Sequence, residues 1–206
     1  MMSRTLLAAA FLLLGADALA DGPCKRLDHD FDAAGIQRLT LEVHVGEFAV
    51  EASNDGKLQL QLEVCPRDAW MDGPETVEKA ELAVEQDAGT LHLSVADDDY
   101  KEKWTLRVPP AMAVGLEMGI GEAVMKGMKG DIKAELGIGE LKIEGSAADY
   151  GSVSGEVGVG DFTLRTKGGS REETRVLVSK ESKWTGSGPA KIEVEVGVGE
   201  AVVRLE

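Results

Sequence analysis

The sequence predicts an all-β protein: a β-solenoid-like stack of short strands with glycine–acid corners, preceded by a less regular, strand-rich N-terminal half. Three observations lead to this class. Apolar and polar residues alternate with the two-residue period of a strand along most of the chain. A ten-residue phrase built on glycine and an acid recurs five times. No long run has a convincing helical period, and the one ambiguous run, 73–86, favours a strand in its second half.

The segment 1–20 is expected to be a cleaved signal peptide. It contains one basic residue, Arg4, an apolar run over 6–14, and small residues at Ala18 and Ala20, which is the layout of a secretory signal. A spanning helix needs roughly 18 or more apolar residues; a membrane anchor or a buried helix is the alternative, and no later segment is apolar enough to span. The mature chain, 21–206, is then expected to be one domain in the periplasm or outside the cell.

The N-terminal half of this domain, 21–110, contains alternating stretches separated by turn-rich pieces. The stretches are 38–45, 57–65, 80–86, 90–96 and 104–109. Between them lie pieces such as "SNDG" and "RDAWMDGPE", which contain the residues that favour turns. This half is therefore predicted to be strand-rich but irregular.

The chain has two cysteines, Cys24 and Cys65, and both lie in the part expected to be exported. An oxidising compartment favours their pairing, so a disulfide between them is predicted. On the chain-entropy model it would contribute about 4 kcal/mol at best. Two buried free thiols are the alternative.

The second half, 111–206, carries four of the five copies of the phrase. The copies are LEVHVGEFAV (41–50), LEMGIGEAVM (116–125), AELGIGELKI (134–143), GEVGVGDFTL (155–164) and VEVGVGEAVV (194–203). Positions three and five alternate, as do positions eight and ten, but the two pairs are out of phase. The glycine at position six is expected to form a corner between two short strands, because only glycine enters left-handed backbone without a steric cost. These corner glycines are Gly46, Gly121, Gly139, Gly160 and Gly199.

The spacing of the corner glycines predicts stacked coils. In the second half, Gly139 and Gly160 each follow the preceding corner glycine at an interval typical of solenoids. Gly199 follows Gly160 at about twice that interval, which leaves room for a degenerate copy around 174–180. The phrases at 129–135 and 150–156 are expected to supply the other strands of each coil. Equivalent strands would pair in parallel about 4.8 Å apart. The last copy would end at an open strand edge, which favours a homodimer or a cap from the N-terminal half.

Stacking in register would align equivalent side chains into rows. The expected inward rows contain Met118, Ile120, Leu136, Ile138, Val157, Val159, Val196 and Val198 before the corner, and Met125, Ile143, Leu164 and Val203 after it. A first acidic row on the outer face would contain Glu117, Glu135, Glu156 and Glu195. A second acidic row, beside the corners, would contain Glu122, Glu140, Asp161 and Glu200.

Like charges about 5 Å apart repel by roughly 0.8 kcal/mol even in water, so the acidic rows need relief. Hydration and nearby cations are expected to supply it, and a specific divalent-ion site is the alternative. The nearby cations are Lys126, Lys133, Lys142 and Arg165.

The strand-rich beginning, the "LRVPP" step at 106–110 and the stacked glycine–acid strands resemble the bacterial adhesin-like β-strand-repeat domains of unknown function, also called toast-rack or adhesin-head domains. The resemblance covers most of 36–206 and is carried by structural glycines and alternation. It implies an exported or envelope-associated β domain, mostly without assigned activity. Many such relatives carry a transmembrane or sorting segment, which is not expected here.

The sequence offers little chemistry from which to predict an active site. It has no nucleophile elbow, phosphate-binding loop or zinc ligand set, so no catalytic, metal or cofactor residue is assigned. His44 and His92 are expected to face outward from strands. Residues 28–32, "DHDFD", alternate acids as a calcium loop does but lack its glycine and terminal glutamate.

The charge of the chain restricts its partners. A net charge of −15 is unsuited to nucleic acid or to an anionic membrane surface. We therefore expect a non-enzymatic envelope or periplasmic interaction domain that presents an acidic β face to an unknown protein or envelope component. A cation-binding structural module and a carbohydrate-active β-helix enzyme are the alternatives.

Overall fold

The computed structural model describes residues 24–67, 76–96, 100–167, 170–176 and 179–206, with the backbone alone described over 170–176 and 179–180. The expected signal peptide, 1–20, lies outside the described residues. Within these ranges, thirteen strands form one sheet. They are β1 (Lys25–Arg26), β2 (His29–Phe31), β3 (Arg38–Ala52), β4 (Leu58–Pro66), β5 (Leu82–Asp87), β6 (Thr90–Val95), β7 (Tyr100–Val108), β8 (Ala113–Lys126), β9 (Ile132–Gly145), β10 (Tyr150–Thr166), β11 (Ser170–Val176), β12 (Ser179–Thr185) and β13 (Ala190–Leu205). The helical structure in the described ranges is one 3-10 turn, Ala147–Asp149, so the all-β prediction is confirmed.

The five copies of the phrase lie on the five longest strands, β3, β8, β9, β10 and β13, which contain 14 to 17 residues each. These strands pair in parallel as a solenoid-like stack with their corner glycines in register. Each strand runs through its glycine–acid step without interruption. The phrases at 129–135 and 150–156 therefore do not form separate strands, because Ile132 and Tyr150 already begin β9 and β10.

The stacking order differs from the order of the sequence. Across the sheet the repeat strands follow β3–β8–β9–β13–β10, so β13 lies between β9 and β10. The long interval before β13 contains a hairpin: β11 and β12 pair antiparallel, and β12 pairs antiparallel with Ser152–Val157 of β10. Because β12 occupies that side of β10, β13 pairs on the other side. The prediction of a degenerate coil around 174–180 is wrong, because this segment belongs to the β11–β12 hairpin. Residues 177 and 178 lie outside the described residues.

The position of β13 also removes the basis for a homodimer through the terminal strand. β13 pairs with β9 along Ile192–Leu205 and with β10 along Ala190–Leu205. Both of its edges are therefore satisfied by parallel neighbours inside the same chain. The prediction of an open terminal edge is wrong because it assumed that the last copy in sequence is the last in space.

The N-terminal half extends the sheet beyond β3. β6 pairs in parallel with Arg38–Glu42 of β3, and β7 pairs in parallel with Gly46–Ala52. β4 adds antiparallel to β7, and β1 and β2 add antiparallel to β4. β5 forms a hairpin with β6, which places a strand over the second half of the ambiguous run, as expected. The predicted disulfide, Cys24–Cys65, joins the chain just before β1 to β4.

Buried side chains from both halves of each repeat strand form one continuous core cluster. In β8, for example, Leu116 and Met118 are buried before the glycine–acid step, and Ala123 and Met125 after it. The interval from Met118 to Ala123 is odd, so the buried face changes sides of the backbone at the step. Each repeat strand therefore turns at its corner glycine and keeps both halves against the core. No described helix is long and apolar enough to cross a bilayer.

Candidate functional site

The corner glycines form a continuous line across the five repeat strands, in the order Gly46, Gly121, Gly139, Gly199 and Gly160. Their φ angles lie between +136° and +152°, which L side chains rarely adopt. A Cβ atom on any of the last four would also lie 1.8 to 1.9 Å from the carbonyl oxygen of the preceding glycine in the line. Both the backbone conformation and the neighbouring strand therefore exclude a side chain at these positions.

A second line of glycines lies two residues before the corner glycines along each strand. It consists of Gly119, Gly137, Gly197 and Gly158. A Cβ atom on these glycines would lie 2.5 to 2.8 Å from a carbonyl oxygen of the neighbouring strand. In the copy on β3 this place is taken by His44. The side chain fits there because β6 pairs with β3 only as far as Glu42 and β7 begins to pair at Gly46.

Between the two lines of glycines lies an exposed row of aliphatic side chains, which we call the aliphatic row. It consists of Ile120, Ile138, Val198 and Val159, which are 46%, 50%, 45% and 51% exposed and are paired in register across β8, β9, β13 and β10. The prediction that these four face inward is wrong. The strand turns between its two glycines, so the residue between them points away from the core. The other predicted core residues, Met118, Leu136, Val157, Val196, Met125, Ile143, Leu164 and Val203, are buried.

The two acidic rows flank the aliphatic row. Glu117, Glu135, Glu195 and Glu156 are paired in register on one side, and Glu122, Glu140, Glu200 and Asp161 on the other. On β3 the rows continue as Glu42 and Glu47. Within the described part of the chain, Glu122, Glu140 and Glu200 make no salt bridge. We call the combined surface the striped face: acid, glycine, aliphatic, glycine, acid.

Of the cations expected to relieve the acidic rows, Lys133 contacts the first row, whereas Lys126 and Lys142 contact Glu144, which belongs to neither row. The amino groups of Lys126 and Lys142 lie 3.8 and 2.7 Å from the carboxylate of Glu144, and Arg204 lies 3.6 Å from it. The hydrogen bond from Lys142, together with these charges, lowers the pKa of the Glu144 carboxyl. Lys133 pairs with Glu135 of the first acidic row at 2.6 Å. In the second row Glu47 pairs with Lys103 at 2.9 Å, whereas Glu122, Glu140 and Glu200 keep their negative charge without a salt bridge among the described residues.

A shallow groove lies on part of the striped face, at its β3 end. It has a volume of about 590 Å³ and runs across β3, β8, β9 and β13. Its lining includes Glu117, Glu135 and Glu195 of the first acidic row, the glycines Gly119, Gly137 and Gly197, the aliphatic side chains of Val45 and Ile120, and one cation, Arg67. The three glycines contribute only backbone to the groove, which lies beside carboxylates and aliphatic side chains.

A buried carboxylate lies at the β3 end of the corner-glycine line. Glu102 pairs with Gly46 and is the one charged residue buried among those described. The indole N–H of Trp104 donates to its Oε2 at 2.6 Å, and the backbone N–H of His44 donates to its Oε1 at 3.4 Å. Burial raises the pKa of the Glu102 carboxyl, while the Trp104 and His44 hydrogen bonds oppose the shift.

The sequence analysis did not identify Glu102 as a buried carboxylate, although the sequence pattern around it indicates its burial. In "YKEKWTLRV", 100–108, Glu102 alternates in phase with Tyr100 and Trp104 and therefore falls on the buried face of β7. His44, expected to face outward, is partly exposed, and its ring lies 3.5 Å from the carboxylates of both Glu42 and Glu102.

The remaining candidate residues do not converge on a site. Asp28, Asp30 and Asp32 are exposed, His29 packs on the ring of Phe31, and His92 contacts the hydroxyl of Thr40. Among the described residues, one group of potential metal ligands lies within 4.8 Å of one another: Cys24, Cys65 and Glu63. Its two sulfurs are joined in the disulfide and cannot act as thiolate ligands.

Comparisons with known proteins find only distant similarities among solved structures. No protein-family model and no curated protein matches this chain. A solved structure of a candidate cell adhesion protein from Clostridium sporogenes is 15% identical, with a TM-score of 0.48 over 89% of this chain and 100% of that one. A candidate adhesin from Bacteroides fragilis is 14% identical, with a TM-score of 0.29 over 87% of this chain and 97% of that one. Likenesses this distant say nothing about what the present chain binds.

Proposed function

We propose that this protein is an exported, non-enzymatic interaction domain of adhesin-like type, which binds an envelope or periplasmic partner through the striped face. The observation that carries this proposal is the exposure of the aliphatic row. Four branched aliphatic side chains, each about half exposed, lie side by side on neighbouring strands. Contiguous apolar surface of this kind marks interaction sites, because water-exposed apolar area is removed from water when a partner binds.

The rigidity of the surface supports the same role. The aliphatic row lies on paired strands between two lines of glycines, and each strand is held by buried residues on both sides of its turn. A site built on strands presents its side chains more accurately than a site on loops, so less ordering entropy is lost on binding. The disulfide fits an oxidising compartment, as the proposed export requires.

The alternative of a cation-binding structural module receives less support. Calcium requires six to eight oxygen ligands at roughly 2.3–2.6 Å from the ion, and therefore needs carboxylates that converge. In the described ranges, no three carboxylates of the acidic rows approach one another within 4.8 Å. The rows extend along the sheet instead, which suits a partner with several separate positive charges.

The proposal is tested by photo-crosslinking at two matched valines. Val198, in the aliphatic row, and Val84, on β5, are both 45% exposed. A photo-reactive residue is placed at one or the other, the full chain is exported by its own host, and adducts are compared after irradiation. We expect discrete adducts from position 198 and few from position 84. Equal labelling at the two positions, or no adduct at 198, contradicts the proposal.

A further inference from the structure

The dimensions of the aliphatic row restrict what can lie along it. Its four residues lie on four neighbouring strands, β8, β9, β13 and β10. At about 4.8 Å per strand the row is roughly 14 Å long. At the β3 end the pattern changes, because His44 replaces the glycine and Val45 is more buried than its counterparts. A partner that uses the whole pattern therefore crosses these four strands.

The charges define the partner's chemistry. The aliphatic row has an acidic row on each side, three residues before it and two residues after it along every strand. In the described chain, Glu122, Glu140 and Glu200 have no salt-bridge partner of their own. A complementary segment therefore has an apolar stripe with lysine or arginine on both sides of it. An anionic or uncharged apolar segment would leave these carboxylates facing an apolar or like-charged surface, which is unfavourable.

The spacing favours a helix over an extended segment. An amphipathic α-helix presents one apolar side chain or pair per turn, and successive turns are about 5.4 Å apart. This interval differs by only about 0.6 Å from the spacing of about 4.8 Å between neighbouring strands. An extended chain presents side chains on one face about 6.6–6.8 Å apart, which loses register by about 2 Å at every strand.

From these three observations we infer that the striped face binds a cationic amphipathic α-helix of a partner protein, which lies along the aliphatic row. At about 1.5 Å of rise per residue, a helix that spans the row has nearly three turns. Its apolar side chains contact Ile120, Ile138, Val198 and Val159, and its flanking lysines or arginines face the two acidic rows. This inference rests on the proposed function and specifies the partner for that surface.

The test uses synthetic peptides and the full mature protein. The probe is a fluorescent, side-chain-stapled helical peptide with leucine at helical spacing and lysine on both flanks. Two peptides serve as comparisons: one with the same composition rearranged to alternate as an amphipathic strand, and one with glutamate in place of every lysine. Dissociation constants are measured by fluorescence anisotropy at low and at high salt. We expect the helical cationic peptide to bind tightest and to weaken as salt is raised.

Matched variants locate the binding. The Ile138→Ser, Val198→Ser double variant should weaken the helical peptide at least about tenfold. Val84→Ser, at an equally exposed valine, should leave it unchanged. Glu140→Gln and Glu200→Gln should each weaken it by up to about fivefold. Glu78→Gln should have no effect, because Lys25 of β1 binds its backbone carbonyl and places it at the far end of the strand order.

Two binding results overturn the inference, as does the absence of peptide binding. The first is binding of the strand-patterned peptide as tightly as the helical one, and the second is binding of the helical peptide that the aliphatic and acidic variants do not weaken. Absence of peptide binding together with specific adducts at position 198 also rejects the helical partner but retains the interaction surface. Absence of both rejects the surface as well.

Discussion

Replacement of a single corner glycine should destabilise the whole sheet, and Gly139→Ala gives the sharpest test. Gly139 lies in the middle of the line, with φ at +143°, and an added Cβ would lie 1.8 Å from the carbonyl oxygen of Gly121. An ordinary contact of this kind begins at about 3.4 Å. The variant must therefore move the backbones of β8 and β9 apart by well over an ångström, or change a φ angle that the register requires.

The expected magnitude has two parts. A non-glycine residue in such a backbone conformation costs about 1–3 kcal/mol. Separation of the strands weakens at least one or two backbone hydrogen bonds, each contributing about 1 kcal/mol. The sum, about 4 kcal/mol, is a large share of the roughly 5–15 kcal/mol that stabilises a domain. For a chain of this size it corresponds to a decrease in Tm of about 8–16 °C.

Alanine variants at two other glycines measure the conformational cost and the steric cost separately. Gly56 has φ at +71° but no atom within 4 Å of an added Cβ, so Gly56→Ala carries the conformational cost alone. Gly137 lacks a left-handed φ, but its Cβ would lie 2.6 Å from the Gly119 carbonyl oxygen, so Gly137→Ala carries the contact alone. Thermal and urea unfolding should rank Gly139→Ala as the most destabilised of the three. A Gly139→Ala variant no less stable than Gly56→Ala would refute the stacked-glycine explanation.

Three further predictions concern the disulfide, the buried carboxylate and the acidic rows. Replacing Cys24 and Cys65 by serine should lower the free energy of unfolding by about 2–4 kcal/mol, and an unchanged urea midpoint would contradict this. Because burial raises the pKa of Glu102 above its unfolded value, its contribution to stability is complete below the unfolded pKa and is lost as pH rises through the folded pKa. The Glu102→Gln variant keeps a hydrogen-bond acceptor for Trp104 but cannot ionise, so its stability should not decrease over this pH range. If its unfolding free energy has the same pH profile as the wild type, the buried Glu102 carboxyl is not the cause. Sodium, magnesium and calcium at equal ionic strength should raise Tm equally by screening the acidic rows; a larger gain with calcium would favour a divalent site, and no gain would contradict the stacked acids.

The local features of this protein follow from its sequence. Alternation with a period of two predicts strands, and the odd step from Met118 to Ala123 predicts that the buried face changes sides within a copy. The glycine between them is the residue that such a turn requires. These features depend on residues close together in the chain, whose steric and solvation preferences are nearly independent of the rest of the fold. The acidic rows follow from the same pattern once the copies are placed in register.

The tertiary structure alone decided which strands are neighbours and which residue of each copy leaves the core. The copies on β9, β10 and β13 have the same pattern of glycine, acid and aliphatic residues, so each could pair with either of the others, and the order is chosen by the β11–β12 hairpin beside β10. Ile138 and Leu136 are equally apolar and alternate in phase, yet one is half exposed and the other buried, because the turn begins between the two glycines. Alternation shows that two residues share a face but not where that face leaves the core. That depends on the path of the neighbouring backbones, and it turned four expected core residues into the surface that we propose binds a partner.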